Sequence, residues 1–301
     1  MERILLDSFD NIKLSVNLWD KVESPKACIV ISHGMAEHPD RYDDFALFLN
    51  SKGYIVAADE HRGHRNNAIG KVNGQTQGDS WNQTLKDIDA LVDYMKKTYK
   101  LDVVLLGHSY GSFLSQRYIE MHSDKLVGCV LSGTAYMKSA LVGMGLKIAS
   151  LQKAIFGEKK TGKLINKMSF GAYNKPFVDD GLEFAWLSRD KQQVIKYQND
   201  KDCGYALSIG FYYYFFKGVM EMYGEDANSI RKDFPIMIAV GSDDPVNGNM
   251  KNAHKLNDFY KGLGLDPVYK IYEKARHEIL NEINNKEVYN DILEFIDNLF
   301  A

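Results

Sequence analysis

Short apolar runs recur along the 301-residue chain, with helix-like stretches between them. This alternation is typical of a mostly parallel β-sheet with helices on both faces. Two runs joined by a turn at Asp10-Asn11 predict an antiparallel hairpin of residues 4–7 and 12–19. Six later runs predict strands at 27–33, 54–59, 103–107, 127–132, 235–241 and 268–272. We therefore expect an α/β fold with a sheet of about eight strands.

Two helices are marked by the spacing of their apolar residues. The tetrapeptide SWNQ at 80–83 has the spacing of a capping box, which predicts a helix with Ser80 as its N-cap. One face of that helix holds Leu85, Ile88, Val92 and Met95. A last helix, at about 284–300, should dock on the sheet through Val288, Ile292, Phe295 and Leu299.

Between residues 134 and 232 the alternation stops, and the sequence predicts helices without convincing strands. We interpret this segment as a helical cap inserted after the sixth strand. The predicted organisation is an α/β core of residues 1–134 and 233–301, with a cap of residues 135–232.

Six apolar residues of the predicted cap keep a 4-3-4-3-4 spacing: Met137, Leu141, Met144, Ile148, Leu151 and Ile155. The first interpretation is that this stripe packs the cap onto the core. The alternative is transient contact with a membrane or an acyl chain, because six side chains offer more apolar surface than a small lid needs. The run FYYYFF at 211–216 is equally open between core and pocket wall.

Acidic and basic residues are interspersed, and the net charge is only −3. This pattern argues against nucleic acid as a partner and favours small neutral or amphiphilic ligands. Cys28, Cys129 and Cys203 are widely spaced, as buried thiols of a reducing compartment are. The N-terminus lacks signal-peptide features, and no apolar run approaches the roughly 18 residues of a membrane-spanning helix. We expect a soluble, cytoplasmic protein.

The stretch LLGHSYGSF at 105–113 contains the pattern G-x-S-x-G between a predicted strand and a predicted helix. A sharp strand-to-helix turn brings the backbone close to its neighbours, so it needs glycine two residues before and after the serine. Ser109 is therefore predicted to be a nucleophile.

A serine hydroxyl needs a base to remove its proton, and the base needs an acid to hold it. In folds that use this turn, the acid follows a late strand and the histidine follows the last strand. Beyond the predicted cap there are two histidines, and His254 falls in a predicted helix. His277 is therefore the candidate base. The candidate acid is Asp244, with Asp243 as the alternative.

Two backbone amides are also needed to hold the oxyanion of the reaction intermediate. We expect one from Tyr110 and the other from Met35, which lies in the loop IVISHGMAEH. Several nearby residues have side chains that suit zinc, but their spacings match no zinc motif. We therefore expect these residues to form hydrogen bonds around the loop and not to bind a metal. They are His33, Glu37, His38, His61 and His64.

Several stretches together resemble the monoacylglycerol lipase and lysophospholipase group of α/β-hydrolases. They are HGMAEHPDRY at 33–42, DEHRGH at 59–64, GHSYGS at 107–112, GSDDPV at 241–246 and ARHEILNE at 275–282. The opening DSFDNIKLSVNLW and the stretch LSRDKQQVIKYQND also resemble this group, so the resemblance covers nearly the whole chain. The chain departs from the group at two positions. Arg65 stands where the group usually has glycine, and Glu60 comes between Asp59 and the run that begins at His61.

The resemblance implies an eight-stranded α/β-hydrolase core, with a mobile helical cap over an acyl-binding channel, and no cofactor. It also implies a catalytic triad of Ser109, Asp244 and His277, with Met35 and Tyr110 as oxyanion donors. The implied substrates are carboxylic esters of glycerol or of glycerophospholipids.

Three alternatives use the same chain differently. A short-chain carboxylesterase would keep the triad but close the acyl channel. A non-catalytic protein would bind a hydrophobic ligand without cleaving it. An aminopeptidase-type amide hydrolase would recognise a free amino terminus through cap carboxylates, for which the sequence offers Glu183, Asp190 and Asp200.

Overall fold

The computed structural model describes residues 1–301 and contains one eight-stranded sheet, which confirms the predicted fold class. The strands are β1 (Glu2–Asp7), β2 (Lys13–Trp19), β3 (Ala27–Ser32), β4 (Tyr54–Asp59), β5 (Val103–His108), β6 (Gly128–Ser132), β7 (Ile236–Gly241) and β8 (Val268–Tyr272). Each predicted strand is present, and its ends lie within two residues of the prediction. Their spatial order is β1-β2-β4-β3-β5-β6-β7-β8.

The sheet is mostly parallel. β1 pairs antiparallel with β2, as the hairpin prediction requires, and β2 pairs antiparallel with β4. All other neighbours are parallel. Strand order reverses on the two sides of β3, because β4 lies on one side and β5 on the other. Ligand sites of parallel sheets form at such a reversal, beyond the carboxyl ends of the strands.

Nine α-helices accompany the sheet. They are α1 (Asp43–Ser51), α2 (Ser80–Tyr99), α3 (Tyr110–His122), α4 (Ala140–Phe156), α5 (Lys163–Phe170), α6 (Lys191–Asn199), α7 (Ile209–Glu221), α8 (Lys251–Gly262) and α9 (Asn285–Asn298). The buried residues of α1 and α9 pack on one face of the sheet, and those of α2, α3 and α8 on the other. No helix combines the length and the apolar character that crossing a membrane requires.

The start of α2 differs from the prediction. Its N-cap is Asp79, whose carboxylate accepts a hydrogen bond from the Asn82 amide at 3.1 Å, and Ser80 is already helical. The predicted cap at Ser80 is therefore wrong by one residue. Aspartate and serine are both strong N-caps, so their order alone does not show which one keeps the non-helical backbone. The predicted apolar face of α2 is fully buried.

Residues 135–232 hold α4 to α7 and no strand of the sheet. One isolated bridge joins Thr161 to Ser208 within this helical segment. The predicted absence of strands is thus confirmed. The division into a core of 1–134 and 233–301 and a cap of 135–232 remains a prediction.

The apolar stripe of the helical segment mostly faces outward. Leu141, Met144, Leu151 and Ile155 each expose more than half of their surface. The interpretation that this stripe packs the segment onto the core is therefore wrong for these four residues. Instead α4 buries Val142 and Ala149 and packs on α7, where Gly145 lies directly against the Phe216 ring. Small side chains let two helices approach closely, which turns the larger residues away.

Candidate active site

Ser109 lies at the sharp turn between β5 and α3, at the carboxyl end of the sheet. Its backbone has φ +53° and ψ −119°, a strained conformation for a residue with a side chain. The flanking glycines are required by close packing. A Cβ on Gly107 would overlap the Gly111 carbonyl, and a Cβ on Gly111 would overlap the Ser32 carbonyl of β3. The sequence therefore holds the Ser109 side chain out at the turn.

The predicted site residues Ser109, His277 and Asp244 lie together. His277 Nε2 is 2.8 Å from Ser109 Oγ, and His277 Nδ1 is 2.9 Å from Asp244 Oδ2. The Asp244 carboxylate is buried, and it also accepts the Val246 amide at 2.8 Å. Asp243, the alternative acid, is exposed and bonds only to Ser242 through its side chain. The geometry therefore supports Asp244 as the partner of His277.

The two histidines beside the serine carry opposite pKa shifts. Burial alone would lower the pKa of His277, but the Asp244 carboxylate, followed by Glu278 and Glu37, outweighs burial and raises the pKa. For His108, burial and the nearby His277 lower the pKa to about 4. His277 can therefore accept a proton near neutral pH, whereas His108 stays neutral.

The amides of Met35 and Tyr110 donate no hydrogen bond within the protein. The amides on either side of Met35 are occupied: Gly34 donates to Glu37 at 2.5 Å, and Ala36 donates to His64 Nε2 at 3.0 Å. Both amides predicted as oxyanion donors thus have no partner within the protein.

A buried ion cluster joins the Met35 loop to the His277 loop. The Arg41 guanidinium donates to both oxygens of Glu278 at 2.6 Å and to Glu37 at 2.5 Å. Glu37 also accepts the Tyr42 hydroxyl at 2.8 Å. Sequence reasoning missed this cluster, although Glu37 and Arg41 lie in the quoted stretch 33–42 and Glu278 directly follows His277.

The histidines considered as metal ligands each have hydrogen-bond partners in the protein. His33 Nε2 accepts the His61 amide, and His61 bridges Asp59 and Ser32 at 3.0 Å each. The grouping with metal-ligand spacing is a different one: His38, Asp200 and Cys203. Burial raises the pKa of the Cys203 thiol far above its usual range, so this sulfur is a poor metal donor.

The departure at Arg65 has a structural role. Arg65 has φ +43°, in the region that favours glycine. Its guanidinium lies 2.8 Å from Asp40 and 3.3 Å from Asp202 of the helical segment. Where the resembling group usually has glycine, this chain therefore has an ionic contact between the two parts of the molecule.

Two cavities meet at Ser109, and they differ sharply in polarity. One encloses about 340 Å³ and is apolar, with 17 hydrophobic residues among the 20 that line it. Tyr212, Phe215 and Phe216 are part of its wall, so the run FYYYFF contributes to a pocket as well as to the core. The other encloses about 360 Å³, and 12 of its 21 lining residues are not hydrophobic. Met35, Ser109 and Phe170 line both.

The helical segment covers the site. The Trp186 ring lies 5.1 Å from the His277 ring, centroid to centroid, and its carbonyl accepts the His277 amide at 3.4 Å. Of the three carboxylates considered for amino-terminus recognition, Glu183 lines the polar cavity. Asp190 caps α6, and Asp200 lies 2.9 Å from His38.

Comparison with known proteins agrees with this geometry. A family model described as "Serine aminopeptidase, S33" matches residues 23–284. The monoglyceride lipase homolog of monkeypox virus is 26% identical, over 97% of this chain and 96% of that protein. Human monoglyceride lipase is 27% identical, over 96% of this chain and 86% of its own length. A thermostable carboxyl esterase from Bacillus coagulans superposes with a TM-score of 0.90, at 24% identity, over 100% of this chain and 99% of that one.

Proposed function

We propose that the chain hydrolyses carboxylic esters of single-chain acyl lipids. The proposal proceeds from the family: the chain belongs to the serine aminopeptidase S33 family of α/β-hydrolases and is a serine hydrolase. Monoacylglycerols and lysophospholipids are the proposed substrates. The observation that carries the proposal is the apolar cavity that opens directly at Ser109. Relatives named monoglyceride lipase and phospholipase support the same substrate class.

In the proposed mechanism Ser109, His277 and Asp244 act as a catalytic triad. His277 takes the Ser109 proton while Oγ attacks the ester carbonyl, and Asp244 stabilises the imidazolium that forms. The amides of Met35 and Tyr110 hold the oxyanion. His277 then gives its proton to the leaving alcohol, which leaves an acyl-enzyme. His277 then takes a proton from a water molecule that attacks the acyl-enzyme, and it returns this proton to Ser109 Oγ as the bond to the acyl group breaks and the fatty acid leaves.

We assign one half of the ester substrate to each of the two cavities. The apolar cavity would hold the acyl chain, because aliphatic and aromatic side chains make up most of its wall. The polar cavity, which also reaches Ser109 and His277, would hold the leaving alcohol. The apolar cavity has a volume of about 340 Å³, within the range of ligand pockets. A short-chain esterase would not need this volume.

Amide hydrolysis is the second candidate, because the family carries the description of an aminopeptidase and Glu183 lines the polar cavity. An amino-terminus site would need further partners for the ammonium group. Asp190 and Asp200 already have partners of their own. The enclosed apolar cavity therefore favours esters of acyl lipids.

We also propose that the helical segment contacts lipid surfaces transiently. Leu141, Met144 and Met168 line the apolar cavity and are also more than half exposed. The exposed stripe continues from them to Leu151 and Ile155. An acyl chain could thus pass from a bilayer into the cavity without crossing polar surface.

All three cysteines are free and buried, which supports the proposed cytoplasmic location.

A hydrolysis panel tests the reaction. We would compare p-nitrophenyl esters from acetate to palmitate, a monoacylglycerol, a lysophosphatidylcholine and an aminoacyl-naphthylamide at neutral pH. The expected result is a maximum at medium or long acyl chains, with turnover of the glycerol ester. Ser109→Ala should lower kcat by several orders of magnitude. Near-native turnover by the folded variant would refute the assignment of Ser109, and a preference for the naphthylamide would favour the aminopeptidase.

Vesicle flotation tests the lipid contact. The double variant Leu151→Ser, Ile155→Ser changes exposed residues that do not line the cavity. It should bind vesicles more weakly and cleave vesicle-borne substrate more slowly, with unchanged turnover of a water-soluble ester. Equal loss on both substrates would contradict a surface role for the stripe.

A further inference from the structure

Charge is distributed unevenly along the chain, and residues 137–178 of the helical segment differ from the rest. This stretch contains eight lysines and one glutamate, with no arginine and no aspartate, so its net charge is +7. Because the whole chain carries −3, the remaining residues carry −10. The prediction that acidic and basic residues are interspersed is therefore wrong for this stretch, which concentrates positive charge on α4, α5 and the loop between them.

The single glutamate of the stretch leaves most of these lysines without an acidic partner. The Glu158 carboxylate lies 3.5 Å from Lys153 and accepts the Gly78 amide at 3.3 Å. Lys153 is the one lysine of the stretch that forms an ion pair. Six other lysines are exposed, and their charge is not compensated within the protein: Lys147, Lys159, Lys160, Lys163, Lys167 and Lys175.

On α4 and at its end, the exposed lysines adjoin exposed apolar side chains. Lys147 follows Met144 by three positions and precedes Leu151 by four, so the three side chains are neighbours on the helix surface. Just beyond α4, Lys160 Nζ lies 4.1 Å from the centroid of the Phe156 ring. Met144, Leu151 and Phe156 each expose more than half of their surface. Positive and apolar groups therefore share one surface.

The helix α5 repeats this arrangement. Leu164 and Met168 are one turn apart and more than half exposed, and an exposed lysine directly precedes each of them, at Lys163 and Lys167. Met168 also lines the apolar cavity at Ser109. The lysines of α5 therefore lie beside the place where this cavity reaches the surface.

We propose that α4 and α5 bind the surface of an anionic bilayer. The six exposed lysines would contact anionic headgroups, and the apolar side chains beside them would enter the boundary between headgroups and acyl chains. This inference rests on the proposed lipid contact and specifies the charge of the lipid. The apolar stripe continues into the apolar cavity, which favours a lipid surface over an acidic protein, because a lipid surface supplies acyl chains.

The remaining net charge of −10 favours one orientation on such a surface. Like charges repel, so an anionic bilayer would disfavour docking through the acidic part of the molecule. Attraction to lysine falls off within a Debye length, about 10 Å at moderate salt. The molecule would therefore dock with α4, α5 and the apolar cavity towards the lipid.

Flotation with two kinds of vesicle tests the proposal. One kind is phosphatidylcholine alone, and the other is an equimolar mixture with phosphatidylglycerol. The wild type should bind the anionic vesicles about tenfold more tightly or better, and high salt should abolish this preference. Each lysine near an anionic surface contributes roughly a fivefold factor. The triple variant Lys147→Gln, Lys160→Gln, Lys163→Gln should therefore lose more than about tenfold in binding to anionic vesicles, with unchanged binding to phosphatidylcholine.

The matched control removes three exposed lysines at the opposite edge of the sheet. Lys21, Lys97 and Lys261 precede the parallel strands β3, β5 and β8, whereas Ser109 follows β5. Their triple replacement by glutamine makes the same change in net charge and should leave vesicle binding as in the wild type. None of the six replaced lysines lines a cavity at Ser109, so turnover of a water-soluble ester reports whether each variant is folded.

The outcomes separate this proposal from those on which it rests. Equal binding of the wild type to both kinds of vesicle, or equal losses in the two triple variants, would overturn the role of the lysines and leave an apolar contact. Binding to neither kind would overturn the lipid contact as well. The variant Leu151→Ser, Ile155→Ser should weaken binding to both kinds. A protein that prefers anionic vesicles but cleaves no ester would count against the proposed reaction alone.

Discussion

Replacing Arg41 by methionine should destabilise the protein strongly at neutral pH. Arg41 lies between Glu37 and Glu278, and the side chains of these two glutamates are only 4% and 6% exposed. Burial would raise the pKa of Glu278, but Arg41 overrides that effect and lowers it. Without the guanidinium, two buried carboxylates face each other with no cation between them.

The expected magnitude follows from this burial. Removing one partner of a buried ion pair costs roughly 3–5 kcal/mol, because the remaining charge is uncompensated. The unfolding entropy is about 2.1 cal/mol/K per residue, or about 0.6 kcal/mol/K for 301 residues. The melting temperature of Arg41→Met should therefore fall by about 5–8 °C.

The assay is thermal unfolding at pH 7 and at pH 5, with Arg41→Lys as control. In the wild type the lowered pKa of Glu278 adds stability that is present above its ordinary pKa of 4.5 and is lost below it. In Arg41→Met the same pKa should rise above 4.5, so protonation relieves the penalty and the gap to wild type should narrow at pH 5. Arg41→Lys keeps the charge without the two-pronged contact and should be intermediate. A melting temperature within about 1 °C of wild type at both pH values would refute the reasoning.

Three further changes test other parts of the site. Glu278→Gln removes a negative charge that raises the pKa of the proposed base, so the acid limb of the kcat/KM profile should move to lower pH; an unmoved limb would exclude this coupling. Gly145→Val should push the Phe216 ring into the apolar cavity, which would lower kcat/KM for the palmitate ester far more than for the acetate ester. Gly111→Ala places a Cβ on a backbone carbonyl of β3 and should prevent stable folding, whereas Gly262→Ala, with open space around it, should have a normal melting temperature.

The inner strands β3 to β7 were predictable because they are buried on both faces and form continuous apolar runs. Residues 54–59 and 268–272 were predicted with the bounds that the structure has. The serine turn was predictable for a related reason: two glycines at a fixed spacing are needed wherever a strand bends sharply into a helix. The order of serine, acid and histidine then left few candidates for the other two positions.

Other features depend on contacts that a sequence pattern does not contain. The periodicity of α4 shows which residues share a face, but the direction of that face depends on how closely Gly145 approaches α7. The Arg41 cluster joins residues 237 positions apart.

The meeting of two unlike cavities at one serine also governs the order of events. In the proposed reaction the acyl chain occupies the apolar cavity, and departure of the alcohol would empty only the polar one. The incoming water would then follow the path along which the alcohol left. Any alcohol that fits the polar cavity would then compete with that water for the same acyl group. If the proposed reaction holds, the layout that separates the two products would therefore also allow acyl transfer to an alcohol, with the outcome set by the relative concentrations of alcohol and water.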